Sequence, residues 1–200
     1  MKYNQHIAFS PDPITQFHEW FRLAQDNEIN DPNAMALATI GTDGWPQVRI
    51  VLLKSYDTNG FCFFTNSNSA KGAALAANPR AALCFHWKTL QRQIRITGPV
   101  EKLSATEDDD YFVRRYRISQ LGAWASLQSQ PLDSMATLET RLGEITQRYE
   151  NSEVPRPPHW GGYRIVPQAM EFWAERPHRL HERMIYHRVG DDWRQERLYP

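Results

Sequence analysis

Three apolar runs follow one another closely: AMALATI at 34–40, PQVRIVLLKSY at 46–56 and FCFFT at 61–65. Only short segments carrying Thr-Asp-Gly and Asp-Thr-Asn-Gly separate them. Such connections close β-hairpins, because Asp, Asn and Gly tolerate the positive φ that tight turns demand. A parallel arrangement would need a crossover of about a dozen residues or more. The stretch therefore has to fold as an antiparallel meander. More strand-like runs follow: RAALCFHW, RQIRITGPVEKL, GGYRIVPQAMEFWAE, HERMIYHRV and, past an Asp-Asp turn, WRQERLY.

Helices are inserted singly. Asp12-Pro13 supplies a cap and a first helical residue, and Ile14, Phe17, Phe21 and Ala24 then recur at helical spacing. Ser69 caps an Ala-rich segment over 69–78. The run Ser104-Ala-Thr-Glu107 is a capping box; it starts a helix acidic at its front and basic at its end, as the helix dipole favours. Met135, Leu138, Leu142, Ile145 and Tyr149 predict a further helix over about 133–149, followed by the proline-rich connection NSEVPRPPH. Strands dominate. The expected architecture is mainly β with peripheral helices, an antiparallel barrel in one domain over 1–200, with 1–11 as a flexible N-terminal arm.

Lys plus Arg equals Asp plus Glu at 23 each, a balance that argues against a general nucleic-acid or membrane-surface binder. No apolar run approaches a membrane span, and MKYNQHIAFSPDP has no secretory hydrophobic region. Cys62 and Cys84 lie in apolar strand-like runs and read as reduced thiols of a cytoplasmic protein. The chain holds no CxxC, HExxH, GxGxxG or GxxxxGKS/T pattern, so neither a metal site nor a Rossmann or P-loop nucleotide site is expected.

Within this neutral chain, cations and hydroxyls gather at four places. Tyr111, Arg115 and Ser119 stand at i, i+4 and i+8. On one continuous helix they share a face, and all three can donate to a phosphate; the bland alternative is an ordinary helix surface. In 65-TNSNSAK-71, hydroxyls and a helix N-terminus surround Lys71, a cation where the dipole disfavours one. Either a bound anion reverses that sign, or this is a Ser-capped helix with a solvated lysine. The run 49-RIVLLK-54 ends in Arg49 and Lys54, whose parity differs. A bulge lies between them, or they serve different ligands, or the strand merely reaches solvent at both ends. In 176-RPHRLHER-183, Arg179, His181 and Arg183 alternate, so a strand would aim them at one face. They flank something anionic there, or they form a solvated basic edge. Two phosphorylated ligands side by side account for more of these features than one.

These motifs, together with RQIRITG, YFVRRYRISQLGAWAS, PRPPHWGGYR and EFW, resemble the pyridoxamine 5′-phosphate oxidase family over nearly the whole chain, from about Asp12 to Pro200. The resemblance implies a split β-barrel and a homodimer with FMN at the subunit interface. It implies that Arg49 and Lys71, with Thr65 beside them, hold the FMN phosphate. Ile50, Val51, Leu52, Leu53 and Lys54 then line the flavin, and Phe64, Gln93, Gln128, Ser129, Trp173 and Arg183 complete its site. Lys54, Tyr111, Arg115 and Ser119 would take the substrate's phosphate, and Arg179 and His181 its pyridine ring, as the catalytic pair. The implied reaction oxidises pyridoxamine or pyridoxine 5′-phosphate to pyridoxal 5′-phosphate, with O2 as acceptor and H2O2 as product.

Three departures from the family pattern stand out. Ala70 occupies the place of a second arginine, Phe64 that of a common tyrosine, and the N-terminal stretch lacks the family's Arg- and Tyr-bearing lid segment. Two alternative functions are an FMN oxidase of the same fold acting on another substrate, such as a phenazine precursor, and a non-catalytic flavin- or B6-binding protein.

Overall fold

A computed structural model of the chain describes residues 7–200, and all its strand pairings are antiparallel. The meander becomes β1 (Ala34–Ile40), β2 (Pro46–Leu52), β3 (Ser55–Asp57) and β4 (Gly60–Asn66). The later strands are β5 (Arg80–Trp87), β6 (Arg92–Lys102), β7 (Trp160–Ile165), β8 (Ala169–Ala174), β9 (Glu182–Val189) and β10 (Asp192–Arg197). Five α-helices surround them: α1 (Pro13–Asn27), α2 (Ala70–Ala77), α3 (Ala105–Val113), α4 (Arg117–Ala125) and α5 (Met135–Arg148).

The barrel is split at β6. Its first half, Arg92–Thr97, pairs with β8, whereas Val100–Lys102 pairs with β7. One branch runs β10-β9-β8-β6-β5-β1-β2, and the other runs from β6 through β7 and β4 to β3. Gly98 sits at the fork, where a Cβ would lie 1.9 Å from the Val166 carbonyl oxygen. Only a residue without a side chain lets the β7–β8 connection cross so closely. A second transfer between branches occurs at 53–54. The Leu53 amide donates to the Asn33 carbonyl at 2.8 Å and the Lys54 amide to the Cys62 carbonyl at 2.9 Å. The expected single strand 46–56 is therefore two, and the break settles the parity of Arg49 and Lys54.

α1 closes one end of the barrel. Asp12 caps it, accepting from the amides of Ile14 and Thr15. Its buried face, Phe17, Trp20, Phe21 and Ala24, enters the main core. The Phe17 ring meets Phe61 edge-on at 4.8 Å and Phe85 at 5.2 Å, and Trp20 meets Phe172 at 5.3 Å. Such pairs add roughly 0.5–1.5 kcal/mol each to the burial itself. A smaller core under α3 to α5 holds Phe112, Leu121, Val154 and Trp160. Of the arm expected at 1–11, residues 1–6 lie outside the described residues. Ile7 and Phe9 pack against the main core, and the Tyr186 hydroxyl donates to the Ser10 carbonyl at 2.6 Å.

Two local expectations are corrected. The chain from Tyr111 to Ser119 is not one helix: α3 ends at Val113 and α4 begins at Arg117. The break is stabilised by side chains. The Gln120 amide nitrogen donates to the carbonyls of Phe112 at 3.0 Å and Val113 at 3.4 Å, satisfying acceptors at the end of α3. Arg117 donates to the carbonyls of Tyr149 and Ser152, tying the start of α4 to the end of α5. Likewise 179–183 is not one strand. Pro177–Arg179 forms a 3-10 turn, and His178 and Arg179 adopt φ of 60° and 62°. β9 starts only at Glu182, so the alternation of Arg179, His181 and Arg183 is not the alternation of a strand. The turn is fixed by its own polar groups: the Arg176 amide donates to His181 Nδ1 at 3.2 Å, and Arg176 pairs with Glu182.

Candidate functional site

Where the split barrel meets α2, α3 and α4, a cavity of about 500 Å³ opens. Ile50, Val51, Leu52 and Lys54 come from the end of β2 and the crossing after it, and Phe64 and Thr65 from β4. Lys71, Tyr111, Arg114, Arg115, Tyr116, Ser119, Gln128 and Trp160 complete the lining. Four of these side chains are cationic and none is a carboxylate.

Lys71 lines the cavity, and Arg49, outside the lining, stands close enough for its charge to act on Lys71. Arg49 Nη1 donates to Thr39 Oγ1 at 2.7 Å and to the Leu37 carbonyl at 3.2 Å, and Nη2 donates to Gln47 Oε1 at 3.1 Å. Lys71 Nζ donates to Thr65 Oγ1 at 3.2 Å, Ser69 Oγ at 3.3 Å and Gln128 Oε1 at 3.1 Å. Every one of these acceptors is neutral. Burial, and then the neighbouring Arg49 charge, makes Lys71 give up its proton more readily than an ordinary lysine. Two adjacent desolvated cations with neutral partners form an arrangement that an anion would stabilise. Ala70 precedes Lys71 at the first position of α2 and adds no charge.

Arg115 lies in the break between α3 and α4. Its guanidinium carbon stands 4.7 Å from the centre of the Trp160 ring and 5.7 Å from that of Phe112. Its Nη1 is buried with no hydrogen-bond partner. Burial lowers its proton affinity. Tyr111 and Ser119 are half-buried beside it, while Lys54 is exposed at the rim. The cavity thus unites Tyr111, Arg115 and Ser119 as the sequence suggested, but by a different route from a shared helix face.

The remaining expected residues lie elsewhere. Leu53 is buried in the main core. Ser129, at φ 72°, is exposed in the loop after α4. Gln93, Trp173 and Arg183 stand in register across β6, β8 and β9, and the His181 ring rests 4.7 Å from Trp173. Arg179 is exposed on the turn before them. Arg183 is held by Glu171, with Nε 2.8 Å and Nη2 2.7 Å from Oε1, and by the Tyr199 carbonyl at 2.9 Å. Glu171 also faces Arg95 Nη2 at 2.8 Å, an ionic contact without hydrogen-bond alignment. At the usual strand spacing, β2 and β8 are four steps and roughly 19 Å apart along the sheet. The expected residues thus fall in two groups, one at the cavity and one on β6, β8 and β9.

Sequence reasoning missed Glu171, Trp160, Arg114 and Tyr116. Glu171 carried a signal: a carboxylate amid the apolar residues of a central strand needs a cationic partner. Trp160 stood in a quoted motif without a role. The exposed face of β2 carries Val48, Ile50 and Leu52, 70%, 65% and 37% exposed. An apolar edge strand of this kind marks an interaction surface.

Comparison with known proteins agrees with this geometry. The family described as "Pyridoxamine 5'-phosphate oxidase" matches residues 23–149. The "Pyridoxine 5'-phosphate oxidase C-terminal dimerisation region" matches residues 160–200. A pyridoxine/pyridoxamine 5′-phosphate oxidase from Gluconobacter oxydans is 52% identical over 194 residues, covering 97% of each chain. One of the same name from Azorhizobium caulinodans is 52% identical over 94% of this chain and 90% of its own. Among solved structures, PhzG from Burkholderia lata in complex with tetrahydrophenazine-1-carboxylic acid superposes with a TM-score of 0.90 at 34% identity, covering 96% of this chain and 95% of that one. An FMN-binding protein related to pyridoxamine 5′-phosphate oxidase, from Nostoc punctiforme, shares the fold at a TM-score of 0.74 and 18% identity, covering 97% of this chain and all of its own. Among the described residues no helix is long and apolar enough to cross a membrane.

Proposed function

Since the chain belongs to the pyridoxamine 5′-phosphate oxidase family, we propose that it oxidises pyridoxamine 5′-phosphate and pyridoxine 5′-phosphate to pyridoxal 5′-phosphate, as a homodimer with FMN at the interface. The observation that carries this reading is the cavity with four cations and no carboxylate. Its cations suit two phosphates. Arg49, Lys71 and Thr65 fit the FMN phosphate, with Gln128 fixing Lys71. Lys54, Tyr111, Arg115 and Ser119 fit that of the substrate. The backbone from Ile50 to Leu53, with Phe64, lines the flavin, and Gln93, Ser129, Trp173 and Arg183 complete the site, some of them from the partner subunit. Each subunit contributes one FMN-binding split-barrel domain over residues 1–200.

FMN, when bound, supplies the acceptor for the hydride leaving the substrate's C4′ and passes two electrons to O2, giving H2O2. The protein orients. Arg179 and His181 hold the pyridine ring in place; because His181 Nδ1 accepts from the Arg176 amide, the neutral ring carries its proton on Nε2 and can donate from there to the substrate. The strained turn at His178 and Arg179 suits a functional role, since two consecutive non-glycine residues at positive φ persist only where surrounding structure enforces them. The free thiols Cys62 and Cys84 suit a reducing compartment, and the cytoplasm is the proposed location.

The likeness to PhzG supports a second reading, a phenazine-type substrate. One experiment separates them. Without oxygen, pyridoxine 5′-phosphate should bleach the yellow flavoprotein, and air should restore the colour. A protein that stays yellow retains FMN but loses this substrate. Equal bleaching by unphosphorylated pyridoxine would contradict the phosphate assignment of Tyr111, Arg115 and Ser119.

A further inference from the structure

The break between α3 and α4 raises a mechanical question. Tyr111 closes α3, Arg115 lies in the break and Ser119 belongs to α4, so no helix sets their spacing. A cluster of near-parallel rings holds Tyr111 and Arg115 instead. Phe64 of β4 stacks on Tyr111 at 4.0 Å and 9°, and Trp160 of β7 lies 5.2 Å from Phe64 at 10°. Tyr111 and Trp160 are thus within 5° of parallel. The Arg115 guanidinium carbon rests 4.7 Å from the Trp160 ring centre.

We propose that Trp160 is a positioning residue: it holds Arg115 in place for the substrate's phosphate and so sets the preference for phosphorylated over unphosphorylated vitamers. This rests on the reading above that Arg115 takes that phosphate. The physical case has three parts. Among the described residues Arg115 Nη1 is buried without an acceptor and no carboxylate pairs with the guanidinium, so the indole face, 4.7 Å away against 5.7 Å for Phe112, is the nearer electron-rich surface that offsets its desolvation. A carboxylate would hold the arginine more tightly but would cancel the charge the phosphate needs; an aromatic face holds it and leaves the charge intact. The indole is buried and its backbone is tied down. Trp160 is 7% exposed and pairs with Asn66 across the sheet. Its amide donates to the Pro157 carbonyl at 3.0 Å, and its carbonyl accepts from Arg156 at 2.8 Å.

The test compares binding of pyridoxal 5′-phosphate and of pyridoxal to the FMN-loaded protein by calorimetry. Trp160→Leu should weaken the phosphate ester roughly three- to thirty-fold, the range of a cation–π contact, and leave pyridoxal unchanged. Trp160→Phe should recover most of the loss. The KM for pyridoxine 5′-phosphate should rise while the flavin reduction rate at saturation holds. In an Arg115→Ala background, Trp160→Leu should cost nothing further, because the pair acts as a unit. Equal weakening of both vitamers, or a full additional loss without Arg115, would overturn the proposal. Should Trp160→Leu fail to fold, Trp160→Met keeps more of the volume, removes the aromatic face and carries the same comparison. If the unaltered protein already fails to prefer the phosphate ester, the substrate reading falls; if it prefers the ester but ignores Trp160, only this inference falls.

Discussion

Lys71 shows how a residue can be tuned for a ligand at the expense of the apo fold. It is half-buried, its acceptors are neutral, and Arg49 stands nearby. Lys71→Met removes a repelled cation and keeps most of the stem. Its apo form should melt no lower than the unaltered protein, while FMN affinity, followed by quenching of flavin fluorescence, should fall roughly ten- to a hundred-fold, as for a lost charge-assisted hydrogen bond. The pH dependence has a definite sign. The folded-state pKa of Lys71 is lowered from the ordinary 10.5, so the unfolded chain holds the proton more tightly. The penalty on the apo protein is fully present below the lowered pKa and fades as pH rises toward 10.5. Any melting advantage of Lys71→Met should therefore shrink over that window, and an advantage that grows with pH would contradict the assignment. Arg179→Ala should give the complementary phenotype. FMN stays bound, because Arg179 does not line the cavity, and anaerobic flavin reduction should slow roughly ten-fold or more. Unchanged reduction kinetics would remove Arg179 from the site.

At the scale of elements, the sequence was legible where local chemistry decides and illegible where distant contacts do. The hairpin turns, the Asp12 cap and the Ser104 capping box lie where their residues demand. The fork of β6 could not be read in the same way. RQIRITGPVEKL reads as one strand, and it is one strand, but its two halves serve different partners. That depends on how Val166 crosses Gly98, a contact 68 residues away in sequence. The α3–α4 break was equally hidden, because no Gly or Pro marks it and the side chain that stabilises it, Gln120, lies beyond it. The turn at Pro177–Arg179 had a visible proline, yet the strict alternation after it argued for a strand. Two substitutions test these elements. Gly98→Ala must displace the Val166 carbonyl and should cost at least the roughly 1–3 kcal/mol typical of overpacking, measured by denaturant unfolding. Phe17→Ala empties the centre of the α1 contact and should cost about 3–5 kcal/mol. A near-neutral Gly98→Ala would mean that the two branches of the barrel can part without strain.

At the scale of the whole molecule, the proposed site has its two groups of residues meeting across a homodimer interface. The cavity lies by β2, at one edge of the sheet, while Trp173 lies on β8, His181 just before β9 and Arg183 on β9. The curvature of one sheet does not bring them into one cavity, and the exposed apolar face of β2 adjoins the cavity side. A two-fold contact satisfies both at once, because an isologous interface sets one chain's β2 region against its partner's β8–β9 region and repeats the arrangement at the other end. The match of residues 160–200 to a dimerisation region agrees, since it covers strands that carry the second group. The arrangement predicts complementation. Lys71→Met disables the cavity half, and an Arg183→Ala variant disables the sheet half. Neither variant alone forms an intact site. In a mixture refolded at equal amounts, about half the dimers are mixed, and each mixed dimer holds one site with both halves intact and one with neither, so about a quarter of all sites recover. The measurement is FMN binding and anaerobic bleaching of the mixture against each variant alone. Recovery near that fraction establishes a site shared between subunits. Activity equal to the mean of the two variants would place all the functional groups on one chain and overturn the two-half reading.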